Sequence, residues 1–322
     1  MEDKRMNELR IVEPSVELIT ELPMLERIEK AGRICYRSEE RIKEGSASKF
    51  VRMIVNKGHW SVLGHSQLYV EIPFEDWLCV EIELPFNLKG QFYTVYSKTS
   101  DVVLVGAGVD AWLELFTTVY HDMGYYFIQE FPDVFFKLLD HESFGEAYGK
   151  EQEDAVKPNF YTNSIIEMSL NDAMWMLKET MILTLDRASA MQLRTHRLAT
   201  HSVMSQRYIN FEKYGFPYII PEEVMNKAGA LLQWYDCKYD EIEKYSQWIN
   251  LGFKPEIART SLGSDIESTM AVTASLWEWK HIFEMRLDPH AQPAIQKVMK
   301  MAYDLLLDKY SGTELEKLLT IS

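Results

Sequence analysis

Apolar residues recur along the chain at two different periods. Between residues 17 and 55 they fall at three- and four-residue steps: Leu25, Ile28 and Ala31 share one face, and Phe50, Ile54 and Val55 another. That spacing predicts helix, broken by a turn-like stretch around 38–45 and stopped at Gly58. Residues 67–72 alternate instead. Leu68, Val70 and Ile72 oppose Gln67, Tyr69 and Glu71, which predicts a strand with one buried face. The run 181–185 predicts a second, mostly apolar strand. From 187 to 200 the helical period returns through Ala188, Met191, Thr195 and Leu198. A third extended piece is expected at 218–220, ended by Pro221.

The stretch 73–171 has a different texture. It holds the apolar run 102–105, a glycine-rich turn at 106–108, an aromatic helix-like segment at 112–131 and an acidic stretch at 140–154. It reads as an insertion or subdomain within a main domain formed by 1–72 and 172–322. The C-terminal part is helix-rich, with helical periods over 222–251, 265–287 and 291–307. The fold class expected is α/β (α+β): a mixed sheet packed with helices.

Composition narrows the function. The 322 residues are 47% hydrophobic and 12% aromatic, enough for a full core and against intrinsic disorder. Lys plus Arg number 34 against 49 Asp plus Glu, a net charge of −15. So acidic a chain is poorly suited to nucleic acid or anionic membrane, although a few clustered arginines can still make a local anion site. Cys35, Cys79 and Cys237 are far apart and form no CxxC pair, so neither a disulfide framework nor a zinc site is expected. A reducing cytoplasmic setting fits. The opening MEDKRMNELR lacks an apolar core, so no signal peptide is expected. The apolar stretch near 174–185 contains Lys178 and Glu179 and is too short to span a bilayer.

Three polar clusters carry the candidate chemistry. The densest runs Gln192-Leu193-Arg194-Thr195-His196-Arg197 and resumes at Ser205-Gln206-Arg207-Tyr208. Arginine forks suit phosphate and the carbonyl edge of pyrimidines; the plain alternative is a solvated helix face paired with carboxylates. The second is GHWSVLGH at 58–65. Its histidines, His59 and His65, miss the spacing of helical metal ligands, so no metal is expected. The third is EMRLDPHAQPAI at 284–295, with Arg286 near a helix end; Arg259 is a further anion ligand candidate. No P-loop, GxGxxG or GxSxG is present.

Taken in order, these clusters resemble the flavin-dependent thymidylate synthases. That family's signature is Arg-His-Arg, seven residues, then Ser; here Thr195-His196-Arg197 is followed by seven residues and Ser205. CYRSEE at 35–40 and GHWSVLGH resemble its N-terminal segment, usually Gly-His-x-Ser-x-x-Glu-His. The 284–295 segment is similar to its C-terminal arginine helix, and 206–222 resembles the stretch after its signature. The middle stretch looks like extended members of the family, whose Gly-Asn-x-Arg-Ala-Trp element reads Ala107-Gly108-Val109-Asp110-Ala111-Trp112 here.

The resemblance implies a homotetramer with shared active sites. It implies methylation of dUMP at C5, with methylenetetrahydrofolate as carbon donor and FAD, reduced by NADPH, as hydride source. Carried over position by position, Gln192, Ser205, Arg207, Arg259 and Arg286 match nucleotide-binding residues, with Arg286 and Ser205 catalytic. His59, Ser61, Thr195, His196, Arg197 and His281 match positions of the flavin site. The chain departs from the pattern at several points. Thr195 replaces an arginine, and Arg194 is rotated about 100° from it on a helix. Gly64 replaces the motif glutamate, Asp110 an arginine, and Val203 and Met204 the usual Gln or Glu before the serine. Ser275, Trp277 and His281 stand where Asn, Arg and Asn are usual. Two alternatives therefore stay open: modification of another pyrimidine nucleotide, such as UMP or dCMP, and a non-catalytic nucleotide-binding homologue.

Overall fold

The computed structural model describes residues 9–97, 101–119, 121–140, 157–161 and 168–321. The strands are β1 (Leu9–Ile11), β2 (Ser15–Leu18), β3 (Gln67–Pro73), β4 (Tyr93–Tyr96), β5 (Val102–Gly108), β6 (Asn159–Tyr161), β7 (Lys178–Thr184), β8 (Thr200–Val203), β9 (Phe216–Tyr218) and β10 (Met270–Ser275). The principal helices are α1 (Met24–Arg33), α2 (Ser46–Asn56), α3 (Phe74–Glu83), α4 (Val109–Thr118), α5 (Met123–Glu130), α6 (Arg187–Leu193), α7 (Ala230–Asn250), α8 (Leu276–Arg286) and α9 (Pro293–Lys309). This mixture of sheets and helices is the α+β class the sequence predicts. The chain divides into two compact units. One comprises 1–18, 31–39 and 181–322; the other comprises 19–30 and 40–180.

The second unit is built on the sheet β4-β5-β3-β6. The boundary expected at residue 72 falls within β3, whose sheet partners β5 and β6 come from the 73–171 stretch. β3 pairs antiparallel with β5, Val70 opposite Val105, and with β6, Val70 opposite Phe160. The described strands β5 and β6 of that stretch therefore share one sheet with β3. β3 is also buried on both faces, not one. Leu68, Val70 and Ile72 join the core with Trp77 and Trp112, while Tyr69 packs with Leu104 and Met176 on the other side. The Tyr69 hydroxyl donates to Met176 O at 3.3 Å, and burial pushes its pKa up to about 12. The main core centres on Trp112, which is fully buried. Its ring meets Phe92 at 4.9 Å and Phe127 at 5.0 Å, and its Nε1 donates to Leu68 O at 3.3 Å.

The glycines at 106 and 108 lie in β5 and make no turn. They are small because other groups come close. A Cβ on Gly106 would stand 3.0 Å from the Tyr69 ring. A Cβ on Gly64 would lie 2.8 Å from Asp110 Oδ2 and 3.0 Å from Oδ1, and one on Gly108 would be closer still to Oδ1. Burial pushes the Asp110 carboxyl up to about 6, against the nearby Lys178.

Several predicted boundaries move. Residue 17 lies in β2, so helix begins at Met24; α2 ends at Asn56, and Gly58 follows with φ +70°. The aromatic segment divides into α4 and α5. Residues 141–154 of the acidic stretch lie outside the described residues. The first unit carries the sheet β2-β7-β10-β8 and the parallel pair β1-β9. β10 lies inside a stretch expected to be helical, and all six of its residues are buried. Its antiparallel register sets Met270 opposite Val203 and Thr273 opposite Thr200. The core of this unit gathers Phe211, Phe216, Tyr218, Trp234, Tyr245, Ile266 and Ala271.

Candidate active site

Helix α6 starts under the control of Asp186, whose carboxylate accepts from Ser189 N at 2.9 Å as an N-cap. It ends at Leu193, about two turns earlier than its period predicts. Thr195 N bonds back to Gln192 O and His196 N to Leu193 O, turning the chain out of the helix. Thr195, His196 and Arg197 therefore lie in a turn, where the helical 100° step between Arg194 and Thr195 does not apply.

Arg286, the last residue of α8, closes over that turn. Its Nη2 donates to Gln192 O and to Thr195 Oγ1, both at 3.1 Å, and its Nε donates to His196 Nε2 at 3.1 Å. Because Nε2 accepts, the imidazole proton sits on Nδ1, which faces Glu278 Oε1 at 3.6 Å. Burial lowers the proton affinity of Arg286, but a guanidinium remains charged. The His281 ring lies 5.6 Å from that of His196. The Gln192 amide donates to Gln292 Oε1 at 2.6 Å. Four of the residues singled out in the sequence (Gln192, Thr195, His196 and Arg286) thus form one hydrogen-bonded group, with His281 beside it. Gln292, within the third sequence cluster, belongs to it, as does Glu278, which was not singled out. The Ser275-x-x-Glu278 spacing at the start of α8 was the available signal, since Ser275 Oγ accepts from Glu278 N.

Ser205 and Arg207 sit beyond β8. Ser205 N donates to Cys35 O at 3.0 Å, and the Tyr36 and Tyr208 rings lie 5.4 Å apart. Arg37, at φ +49°, holds buried Glu267 at 3.0 Å. Left-handed backbone on a side chain of this kind carries strain of the sort kept at working sites. The CYRSEE segment thus braces the serine. It also brings Cys35 beside Ser205, although no cysteine lies within the arginine cluster in sequence. Burial pushes that thiol's pKa up, and its side chain is bonded to Ser202, so it is not poised as a nucleophile. Arg207 is exposed, 3.5 Å from Glu256 and over the Tyr208 ring at 5.3 Å.

Arg259 begins the short turn after 255–258. Burial, aided by the charges of Arg259 and Arg194, lowers the proton affinity of Arg187 at the start of α6. Among the described residues none of these three arginines has a carboxylate partner. Like charges left close together and unpaired suit an anion. Arg187 is a residue the sequence reading passed over. His59 and Ser61 belong to the other unit, where both are exposed at the start of a short 3-10 helix. A cavity of ≈ 840 Å³ in that unit, lined by residues such as Met24, Leu25, Glu29 and Phe131, contains none of these groups. The chemistry, not the volume, marks the site.

His201 lies on β8 opposite Val272. Burial, Arg194 and His196 depress its pKa to about 4, and its Nε2 is buried without a partner among the described residues. The unfolded chain takes up this proton near pH 6.5 and the folded protein only near 4, so stability is lost as pH falls between those values. His201→Gln removes that loss. The Tm of the variant relative to the unaltered protein is expected to rise as pH falls from 7 to 4. A difference independent of pH excludes the assignment.

Fold and site together define an α+β protein with a guanidinium held by a glutamine carbonyl, a threonine hydroxyl and a histidine, flanked by further arginines. The family described as Thymidylate synthase complementing protein matches residues 17–121 and 136–310, and the chain belongs to that family. Over 114 residues it is 33% identical to the flavin-dependent thymidylate synthase of Pyrococcus abyssi, covering 35% of this chain and 47% of that protein. Over 108 residues it is 31% identical to the protein of the same name from Geobacter sulfurreducens, covering 34% and 47%. The chain spans about half the length of the curated relatives it matches. Among the described residues no helix is long and apolar enough to cross a membrane.

Proposed function

We propose that the protein is a flavin-dependent thymidylate synthase that methylates dUMP at C5, working as a homotetramer in the cytoplasm. The observation that carries this reading is Arg286, a helix-end guanidinium bonded at once to Gln192, Thr195 and His196. Such a group can face the carbonyl edge of a pyrimidine and stabilise the negative charge that builds on the ring when C5 becomes nucleophilic. Preformed hydrogen bonds hold it in place, so little reorganisation accompanies that charge. Ser205 and Gln192 orient the base, and Arg207 and Arg259 face the phosphate.

The residues present also suit a flavin. Arg197 and His281 are exposed and polar, without a carboxylate partner among the described residues. FAD would be held by these groups with Thr195 and His196, and when reduced by NADPH it supplies the hydride; methylenetetrahydrofolate supplies the carbon. No covalent attachment to the protein is required, which agrees with the raised thiol of Cys35.

The replacement of an arginine by Thr195 favours one second reading, a different pyrimidine nucleotide. Both are tested by offering dUMP, UMP and dCMP in parallel to protein with FAD, NADPH and methylenetetrahydrofolate. The expected result is a mass gain of one methyl group on dUMP alone. Modification of UMP or dCMP supports the second reading. No product from any, with flavin bound, refutes both and leaves a nucleotide-binding homologue.

A further inference from the structure

Lys238 lies on α7 and is buried, an unusual place for an ammonium. Its Nζ is 2.7 Å from Glu241 Oε1 and 2.7 Å from Asp265 Oδ1, and it lies over the rings of Tyr218 and Trp234 at 5.1 and 5.7 Å. The remaining carboxylate oxygens are also occupied. Glu241 Oε2 accepts from Gly263 N at 2.8 Å and from the Tyr218 hydroxyl at 3.0 Å; Asp265 Oδ2 accepts from Trp234 Nε1 at 2.7 Å. Burial works against the ammonium, yet these hydrogen bonds outweigh it and the pKa is raised.

What this network grips is one loop. Ser261 Oγ donates to Glu241 O, Gly263 N to the Glu241 carboxylate, and Asp265 meets Lys238 directly. Gly263 passes so close that a Cβ would stand 2.7 Å from Asp265 Oδ1 and 2.8 Å from Lys238 Nζ. The loop then fixes the start of α6, where Ala188 N donates to Ser264 O and Arg187 N to Ile266 O. Arg259 stands at the head of this loop with no carboxylate of its own among the described residues.

A buried ion network of this kind is weak evidence for stability, because apolar residues of similar volume commonly hold a fold as well. It does fix geometry, since each partner accepts only one arrangement.

We infer that Lys238 is a positioning residue for nucleotide binding: by bridging Glu241 and Asp265 it clamps the 259–265 loop and so sets the place of Arg259. The inference rests on the nucleotide reading above. Removing the cation leaves two neighbouring, half-buried carboxylates whose repulsion loosens the loop.

The test uses the full-length protein and its Lys238→Met, Tyr218→Phe and Arg259→Ala variants. Binding of dUMP is measured by calorimetry, binding of FAD by fluorescence, and hydrogen exchange by mass spectrometry. Lys238→Met is expected to weaken dUMP binding about tenfold or more, leave FAD affinity within about twofold, and speed exchange across 259–265. Tyr218→Phe, which removes one hydrogen bond, should move dUMP affinity and exchange the same way by less. A folded Lys238→Met protein with dUMP affinity within about twofold of the parent overturns the inference. If Lys238→Met does not fold, Tyr218→Phe decides, and an unchanged dUMP affinity there overturns it. If Arg259→Ala leaves dUMP binding intact, the nucleotide reading is at fault. In that case exchange decides the clamp alone, faster exchange across 259–265 upholding it and unaltered exchange overturning it.

Discussion

Arg286→Ala is expected to cut nucleotide-dependent turnover by about 10²–10³-fold, the usual effect of deleting one donor aimed at developing charge. The fold should survive. Arg286 is only partly buried, and it contributes three hydrogen bonds but no core volume, so Tm should fall by no more than a few degrees. Arg286→Lys should not restore the rate. It keeps the charge, but one ammonium cannot reproduce a fork that reaches Gln192 O, Thr195 Oγ1 and His196 Nε2 together. Steady-state turnover with circular dichroism on the same preparations checks both points. An alanine variant with near-normal rate would show that the reacting nucleotide lies elsewhere.

Trp112→Ala is expected to be the most destabilising single change in the second unit, costing about 3–5 kcal/mol. The ring is fully buried and touches Trp77, Phe92, Phe116 and Phe127, so its loss opens a cavity bordered by aromatic groups that cannot all collapse into it. The indole N–H also leaves Leu68 O, in the strand at the centre of the sheet. Trp112→Phe should cost clearly less, because most of the ring volume stays. Chemical denaturation followed by tryptophan-independent circular dichroism measures both variants. A Trp112→Ala midpoint indistinguishable from the parent contradicts the account of this core.

Much of this architecture was legible in the residues where the deciding force is local. The stop after α2 was readable because Gly58 takes a positive φ that other residues resist. The strand at 67–73 was readable from alternation, but not the burial of its second face. That face is covered by Met176, more than a hundred residues later in the chain. The six residues of β10 are all buried, so they show no alternation to separate strand from helix. The early end of α6 depends on Arg286 meeting the turn from another helix, a tertiary contact with no local signature.

The candidate site divides in the same way. Gln192, Thr195, His196 and Arg286 came from motif order and do meet. Glu278 was missed although its spacing from Ser275 was readable, and Arg187 was missed because its role arises from packing against Arg194 and Arg259. Lys238 was missed because an ion network buried beneath a loop looks, in sequence, like an ordinary helical lysine.

The crowding around Asp110 changes how the departures from the family pattern should be counted. Gly64 stands where that pattern has glutamate and Asp110 where it has arginine, and the two positions touch: the space a side chain at 64 would enter holds the Asp110 carboxylate. Restoring glutamate at 64 alone would press a second acid onto the first. Restoring arginine at 110 alone would leave a cation without the acid opposite it. The two positions are in contact, so the effect of restoring one residue is expected to depend on the residue at the other.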